Sequence, residues 1–159
     1  MKNTLLFLFV ITAFSTSQSL FATPGDDFDI ETKNGNMSLS QYKGKVVYLD
    51  FWASWCSPCR KSFPWMNKMQ AKYGDKGLKI IGISLDGSKD ATTKFLKKNP
   101  ALFLIAYDPD GKVADNYGVQ VMPTSYLIGK DGKLLMTHKG FRTKHEDMLE
   151  DEFKKALGL

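Results

Sequence analysis

The sequence predicts an α/β fold: one central mixed β-sheet flanked by helices on both faces, entered through an N-terminal β-hairpin. Three observations predict it. Apolar runs rich in β-branched and aromatic residues recur at 45–52, 78–84, 102–107 and 123–128, as buried strands require. Segments of helical length and spacing follow the first three of these runs, the alternation that builds a layered sheet-and-helix domain. Asn34-Gly35 sits between two short alternating stretches, the strongest local hairpin signal. The resulting order is β-β-β-α-β-α-β-α-β-β-α.

Taken in chain order, the first segment stands apart from that domain. Lys2 supplies a small positive start, Leu5 to Phe14 is apolar except for Thr12, and Ser15 to Ser19 turns polar. This pattern reads as a secretory signal peptide over residues 1–22, cut after Ala22. It falls short of the roughly 20 apolar residues of a spanning helix. No cysteine follows it to carry a lipid, and no twin arginine precedes it. The mature chain, 23–159, is therefore expected outside the cytosol, periplasmic or extracellular.

Phe28–Thr32 and Met37–Leu39 form the expected edge hairpin. Lys45–Trp52 is the expected central strand, and 57 to about 73 reads as a helix because it contains no β-branched residue. Pro64, inside that helix, removes a backbone hydrogen bond and introduces a kink. Leu78–Ser84 is nearly all apolar, so a central parallel strand is expected. Ser88 caps a helix from 89 to 98, whose Lys94, Lys97 and Lys98 face solvent. Leu102–Tyr107 is a third core strand, ended by the Asp108-Pro109-Asp110-Gly111 turn. A short helix over 112–117 closes at Gly118. Pro123 opens a constrained strand entry. Lys130-Asp131-Gly132-Lys133 turns the chain into 134–138. The last helix, 143–156, offers Phe141, Met148, Leu149 and Phe153 to the core.

The 159 residues leave room for one domain with a real core, and 43 % hydrophobic with 25 % charged residues is ordinary globular composition. No repeat or low-complexity tract divides it. Loss of Lys2 with the leader takes the formal charge from +5 to +4. That excess is mild and scattered among acids, which argues against a nucleic-acid partner.

The only two cysteines, Cys56 and Cys59, stand directly after the central strand. Cys56 then lies at a helix N-terminus, where free N–H groups and the positive end of the dipole favour thiolate. Cys59, three residues on, can close a small disulfide with it or attack one that it holds. In an exported chain two cysteines usually form a structural bridge. So short a loop constrains the unfolded chain little, so a redox-active pair is the favoured reading. Asp50, six residues before Cys56 and among apolar neighbours, is expected to be buried with a raised pKa, useful for acid–base work.

Trp52-Ala53-Ser54-Trp55-Cys56-Ser57-Pro58-Cys59, Pro64 and Val121-Met122-Pro123-Thr124 together resemble the thioredoxin superfamily, most nearly its exported TlpA/ResA-like thiol–disulfide oxidoreductases. The resemblance covers essentially the whole of 23–159. It implies a thioredoxin-like fold, no cofactor, and disulfide exchange with protein substrates. Cys56 is then the attacking thiolate and Cys59 the resolving thiol. Asp50 matches the buried aspartate that moves the resolving thiol's proton. Pro123 resembles the cis-proline that faces the disulfide, and the Met122 backbone would pair with an extended substrate. Trp55 is either the aromatic floor beside the sulfur or a plain core tryptophan. The branch implies reduction, a membrane protein as electron donor and a monomer. Ser62 stands where several cytochrome-maturation members carry glutamate, which weakens the narrow assignment to apocytochrome c.

Two other classes compete. The thiolates could bind or deliver a soft metal such as copper, but His138 and His145 are remote in sequence, read as surface or hairpin histidines, and no metal site is assigned. A peroxiredoxin-type peroxidase carries threonine or serine three residues before its cysteine and proline seven before; here Ala53 and Leu49 stand there.

Overall fold

The computed structural model describes residues 26–159, so the expected leader and its cut after Ala22 lie outside the described residues. The element order follows the sequence reading: β1 (Asp29–Thr32), β2 (Gly35–Ser38), β3 (Val46–Trp52), α1 (Ser57–Tyr73), β4 (Leu78–Ser84), α2 (Lys89–Lys98), β5 (Leu104–Tyr107), α3 (Lys112–Asn116), β6 (Thr124–Ile128), β7 (Leu134–Lys139) and α4 (Glu146–Leu157). Short 3-10 turns occur at Leu39–Tyr42, Gly74–Lys76 and Thr143–His145. The seven strands form one sheet in the order β2-β1-β5-β4-β3-β6-β7. β3, β4 and β5 run parallel, while β1 against β5, β6 against β3 and β7 against β6 are antiparallel.

β3 lies inside the sheet between β4 and β6, and all seven of its residues are buried. Alternation splits them between two cores. Val46, Tyr48 and Trp52 join α1, α2 and α4 on one face. Val47, Leu49 and Phe51 join the N-terminal hairpin and α3 on the other. The first face is largely aromatic. Trp52 packs edge-on to Phe63 with centroids 4.6 Å apart, Phe63 meets Phe95 at 5.0 Å, and Tyr48 meets Phe153 at 5.0 Å. These contacts anchor the start of α1 to the carboxyl end of β3, where the cysteines lie. The Gln70 side chain fastens the other end of α1, donating to the Leu78 carbonyl at 3.3 Å and accepting from the Ile80 N–H at 2.8 Å.

Four local expectations change. The hairpin turn is Lys33-Asn34, and Gly35 carries the positive φ of 105° as the first residue of β2. β5 begins at Leu104, because Leu102 is 65 % exposed and gives its N–H to the Asn67 side chain at 2.7 Å. The last helix starts as a 3-10 turn at Thr143 and becomes α-helical only at Glu146. Met148, offered to the core, is 43 % exposed. Leu149, Phe153 and Leu157, four residues apart, make the buried face of α4, and Met148 lies about 100° round the helix from Leu149. Helix α1 has Pro64 inside it, as the sequence places it. Among the described residues no helix is long and apolar enough to cross a membrane.

Candidate active site

The β3–α1 junction places both cysteines. Cys56 is the N-cap of α1, its extended backbone halting the strand direction while its sulfur accepts the Cys59 N–H at 3.3 Å. Pro58 fits the first helical turn, where no N–H partner is needed. Cys56 and Cys59 are joined in a disulfide, S–S 2.02 Å, with Cα atoms 5.3 Å apart. The two sulfurs are not equivalent: Cys56 is 6 % exposed and Cys59 is fully buried. A nucleophile from solvent reaches the pair only through Cys56.

An open groove of about 550 Å³ lies over that sulfur, lined among others by Trp55, Cys56, Pro58, Leu85, Val121 and Met122. Trp55 is not a core residue: it is 69 % exposed and lines the groove with Cys56. It sits in the turn between β3 and α1, beyond the end of the aromatic stack, so its ring forms one wall of the groove. Val121, also exposed, and half-buried Met122 line the same groove. The Met122–Pro123 peptide is cis, and Pro123 is buried. Ser62 is buried and donates to the Cys59 carbonyl at 2.8 Å, closing that helical turn.

Asp50 is buried on the same face of β3 as Tyr48 and Trp52, the face whose core holds Cys59. It sits opposite Ser125 of β6, whose hydroxyl donates to its Oδ1 at 2.7 Å, while its Oδ2 is buried with no partner. Loss of hydration pushes its pKa up to about 7, the Ser125 hydrogen bond offsetting only part of the shift. A carboxyl poised near neutrality on the face whose core holds Cys59 has the pKa that acid–base work needs.

Asp86 was not singled out by sequence. It is buried just beyond β4 and accepts from the Ser54 N–H at 3.0 Å, the Ser54 hydroxyl at 2.9 Å, Thr92 at 2.9 Å and Ser84 at 3.3 Å. It thereby ties the turn before Cys56 to the start of α2. The one local signal was an acid two residues past an apolar strand, which a loop acid shares. Asp86→Ala removes the acceptor of the Ser54 N–H and hydroxyl and leaves the Ser84 and Thr92 hydroxyls only each other, 2.6 Å apart, and we expect a loss of about 2 kcal/mol in urea unfolding. An unchanged midpoint would show the clamp to be dispensable.

His138 and His145 do not flank the cysteines as a ligand set. Their rings meet each other edge-on, centroids 4.9 Å apart. Among the described residues no group of three or more His, Cys, Asp and Glu is arranged to hold a metal ion.

A family model described as the AhpC/TSA family matches residues 21–136. Thiol-disulfide oxidoreductase ResA of Bacillus thuringiensis subsp. konkukian is 42 % identical over 127 residues, spanning 80 % of this chain and 71 % of that protein. ResA of Bacillus subtilis is 36 % identical over 126 residues, spanning 79 % and 69 %. A Chlorobium tepidum crystal structure, assigned as thiol:disulfide interchange protein DsbE, superposes with a TM-score of 0.83 at 48 % identity. It covers 87 % of this chain and 98 % of that one.

Proposed function

The chain belongs to the AhpC/TSA family, with a thioredoxin-like fold, and is a thiol–disulfide oxidoreductase; we propose that it works outside the cytosol as a reductant of protein disulfides. The observation that carries the mechanism is the asymmetry of the two sulfurs, one at the floor of a groove and one sealed beneath it. In the reduced protein the Cys56 thiolate, favoured by the α1 N-terminus, attacks a substrate disulfide and releases one substrate thiolate. Cys59, losing its proton to Asp50, then attacks the Cys56 sulfur of the mixed disulfide. The second substrate thiolate leaves, and the Cys56–Cys59 disulfide remains. Two electrons pass from the pair to the substrate, and a second reductant must return them.

The groove fits an extended polypeptide segment. Trp55 and Val121 supply apolar walls, and an extended strand can pair with the Met122 backbone beside Pro123. Export is supported by the leader-like composition of 1–22 and by the redox logic of compartments, since a cytosolic pool would leave few disulfides to reduce. With Ser62 at the glutamate position, the substrate class is protein disulfides in general. The electron supply, in this reading, is a membrane protein with its own dithiol, and the working unit is the monomer.

Equilibration with thiol–disulfide buffers tests the direction. A reductant has a potential near or below about −250 mV, whereas a disulfide donor lies near about −120 mV. The second result would reverse the reading.

A further inference from the structure

We propose that five exposed cations beside the disulfide form a docking surface for acidic residues that flank the disulfide of a substrate polypeptide. They are Arg60 and Lys61 of α1, with Lys139, Arg142 and Lys144 at the end of β7 and in its connection to α4. The inference rests on the reading that the groove over Cys56 takes an extended substrate segment.

Strand pairing brings the five to one side of the disulfide. β6 begins at the carboxyl end of β3, Thr124 opposite Phe51, and β7 ends beside that start, Lys139 opposite Thr124. The chain after Lys139 is fastened there, because the Gly140 N–H donates to the Pro123 carbonyl at 2.7 Å. Phe141 is buried against Trp65 of α1, ring centroids 5.7 Å apart. Lys61 lies four residues before Trp65, so it stands on the same helix face, one turn nearer Cys56. Arg60 gives its N–H to the Cys56 carbonyl at 3.1 Å. The β7–α4 connection is therefore packed on the first half of α1, and the cis Met122–Pro123 peptide joins it to the groove.

Their charge is left for a partner. Among the described residues none of the five is in an ion pair. α1 carries Arg60, Lys61, Lys68 and Lys72 and no acid, although the first turns of a helix favour acids. The positive end of α1 therefore adds to the surface. The acids that follow the connection, Glu146 and Asp147, lie in the first turn of α4, against that helix's own positive end. Beyond β4 and β5, at the same end of the sheet, no such surplus forms. Asp86 and Asp108 are buried there, Asp110 faces Lys112 at 3.3 Å, Lys89 meets Glu31, and Asp90 sits in the first turn of α2. The groove itself has no charged lining residue among those described. An uncharged groove with cations on one rim fits a segment with apolar residues at its cysteine and carboxylates beyond it. Opposite charge then speeds the encounter and fixes which way the segment lies. An anionic membrane would meet the same cations, but resting on it would cover the sulfur that must reach a substrate.

The test uses cystine-bridged peptides that share one apolar core and carry a flank of glutamates, glutamines or lysines. Each is reduced in a single turnover by the dithiol protein, quenched in acid and separated. At low salt the glutamate peptide should react about tenfold faster than the glutamine peptide, and the lysine peptide more slowly than both. The advantage should vanish at about 1 M salt, where the screening length is about 3 Å. It should also vanish in the triple variant Lys139→Gln, Arg142→Gln, Lys144→Gln, which should reduce the glutamine peptide at the wild-type rate. Arg60 and Lys61 stay in place, because a cation beside Cys56 also favours its thiolate. Should the variant fail to fold, the salt series on the unmodified protein decides. Equal rates for the three peptides, or an advantage that survives the salt or the variant, overturn the surface. So does a wild-type protein that binds phosphatidylglycerol vesicles and shows no peptide preference, which would assign the cations to a membrane. If the glutamine peptide is not reduced at all, the reductant reading fails and takes the surface with it. If it is reduced as fast as the glutamate peptide, only the surface fails.

Discussion

Asp50→Asn will stabilise the oxidised protein above pH 7 and slow its chemistry. The native carboxyl holds its proton up to about pH 7, whereas an unfolded aspartate loses it near pH 3.9. The sign follows from proton binding. Below both values each state is protonated, and the group has no effect on stability. Between them only the native state keeps the proton, so stability falls as pH rises. Above pH 7 the full penalty applies, about 4 kcal/mol for a shift of about three units. Asparagine never ionises, so it removes that slope. It still offers an oxygen to Ser125, but puts an amide where Oδ2 has no partner, at a cost of about 1–3 kcal/mol. The net expectation is a gain of about 2 kcal/mol at pH 8 and none, or a loss, at pH 4. Urea unfolding at the two pH values measures it, and equal differences at both would show that Asp50 titrates normally. Exchange by the variant should fall about 100-fold at pH 8 and lose its rise with pH near 7, the signature of a missing base.

Replacing the two cysteines separately should give opposite phenotypes. Cys56→Ser leaves the buried Cys59 thiol with no route to a substrate, and disulfide reduction should fall to the uncatalysed rate. Cys59→Ser keeps the accessible nucleophile but removes the sulfur that resolves the intermediate, so mixed disulfides should accumulate. Non-reducing electrophoresis of each variant with a disulfide-bonded polypeptide reads both outcomes. A Cys56→Ser protein that still reduced its substrate would reverse the assignment of the two thiols. Trapping by Cys56→Ser in place of Cys59→Ser would do the same.

These predictions draw unequally on sequence and on tertiary structure. Strand β3 was legible because seven consecutive residues are buried on both faces, which leaves no polar interruption except Asp50. Helix α1 was legible because it lacks β-branched residues and starts at a proline-containing turn. The Cys56–Cys59 spacing and the Met122-Pro123-Thr124 entry to β6 are likewise local features, and the chain carries them as a readable motif. The buried state of Asp50 could be read from its apolar neighbours alone.

What sequence could not decide depends on register and on solvent direction. Trp55 is as apolar as Trp52, yet one wall of a groove needs the first and the core takes the second. The difference is that Trp52 is the last residue of β3 and Trp55 lies past it in a turn. Met148 and Leu149 are adjacent and equally apolar, and only the rotation of α4 against the sheet separates the exposed one from the buried one. Asp86 with Ser54, and Asp50 with Ser125, meet from strands and loops far apart in the chain. The sequence by itself determined the layers of the fold and the chemical identity of the dithiol. Which sulfur meets solvent and what holds the Asp50 carboxyl were decided by helix packing and strand pairing, because hydrogen-bond partners and burial are properties of neighbours in space.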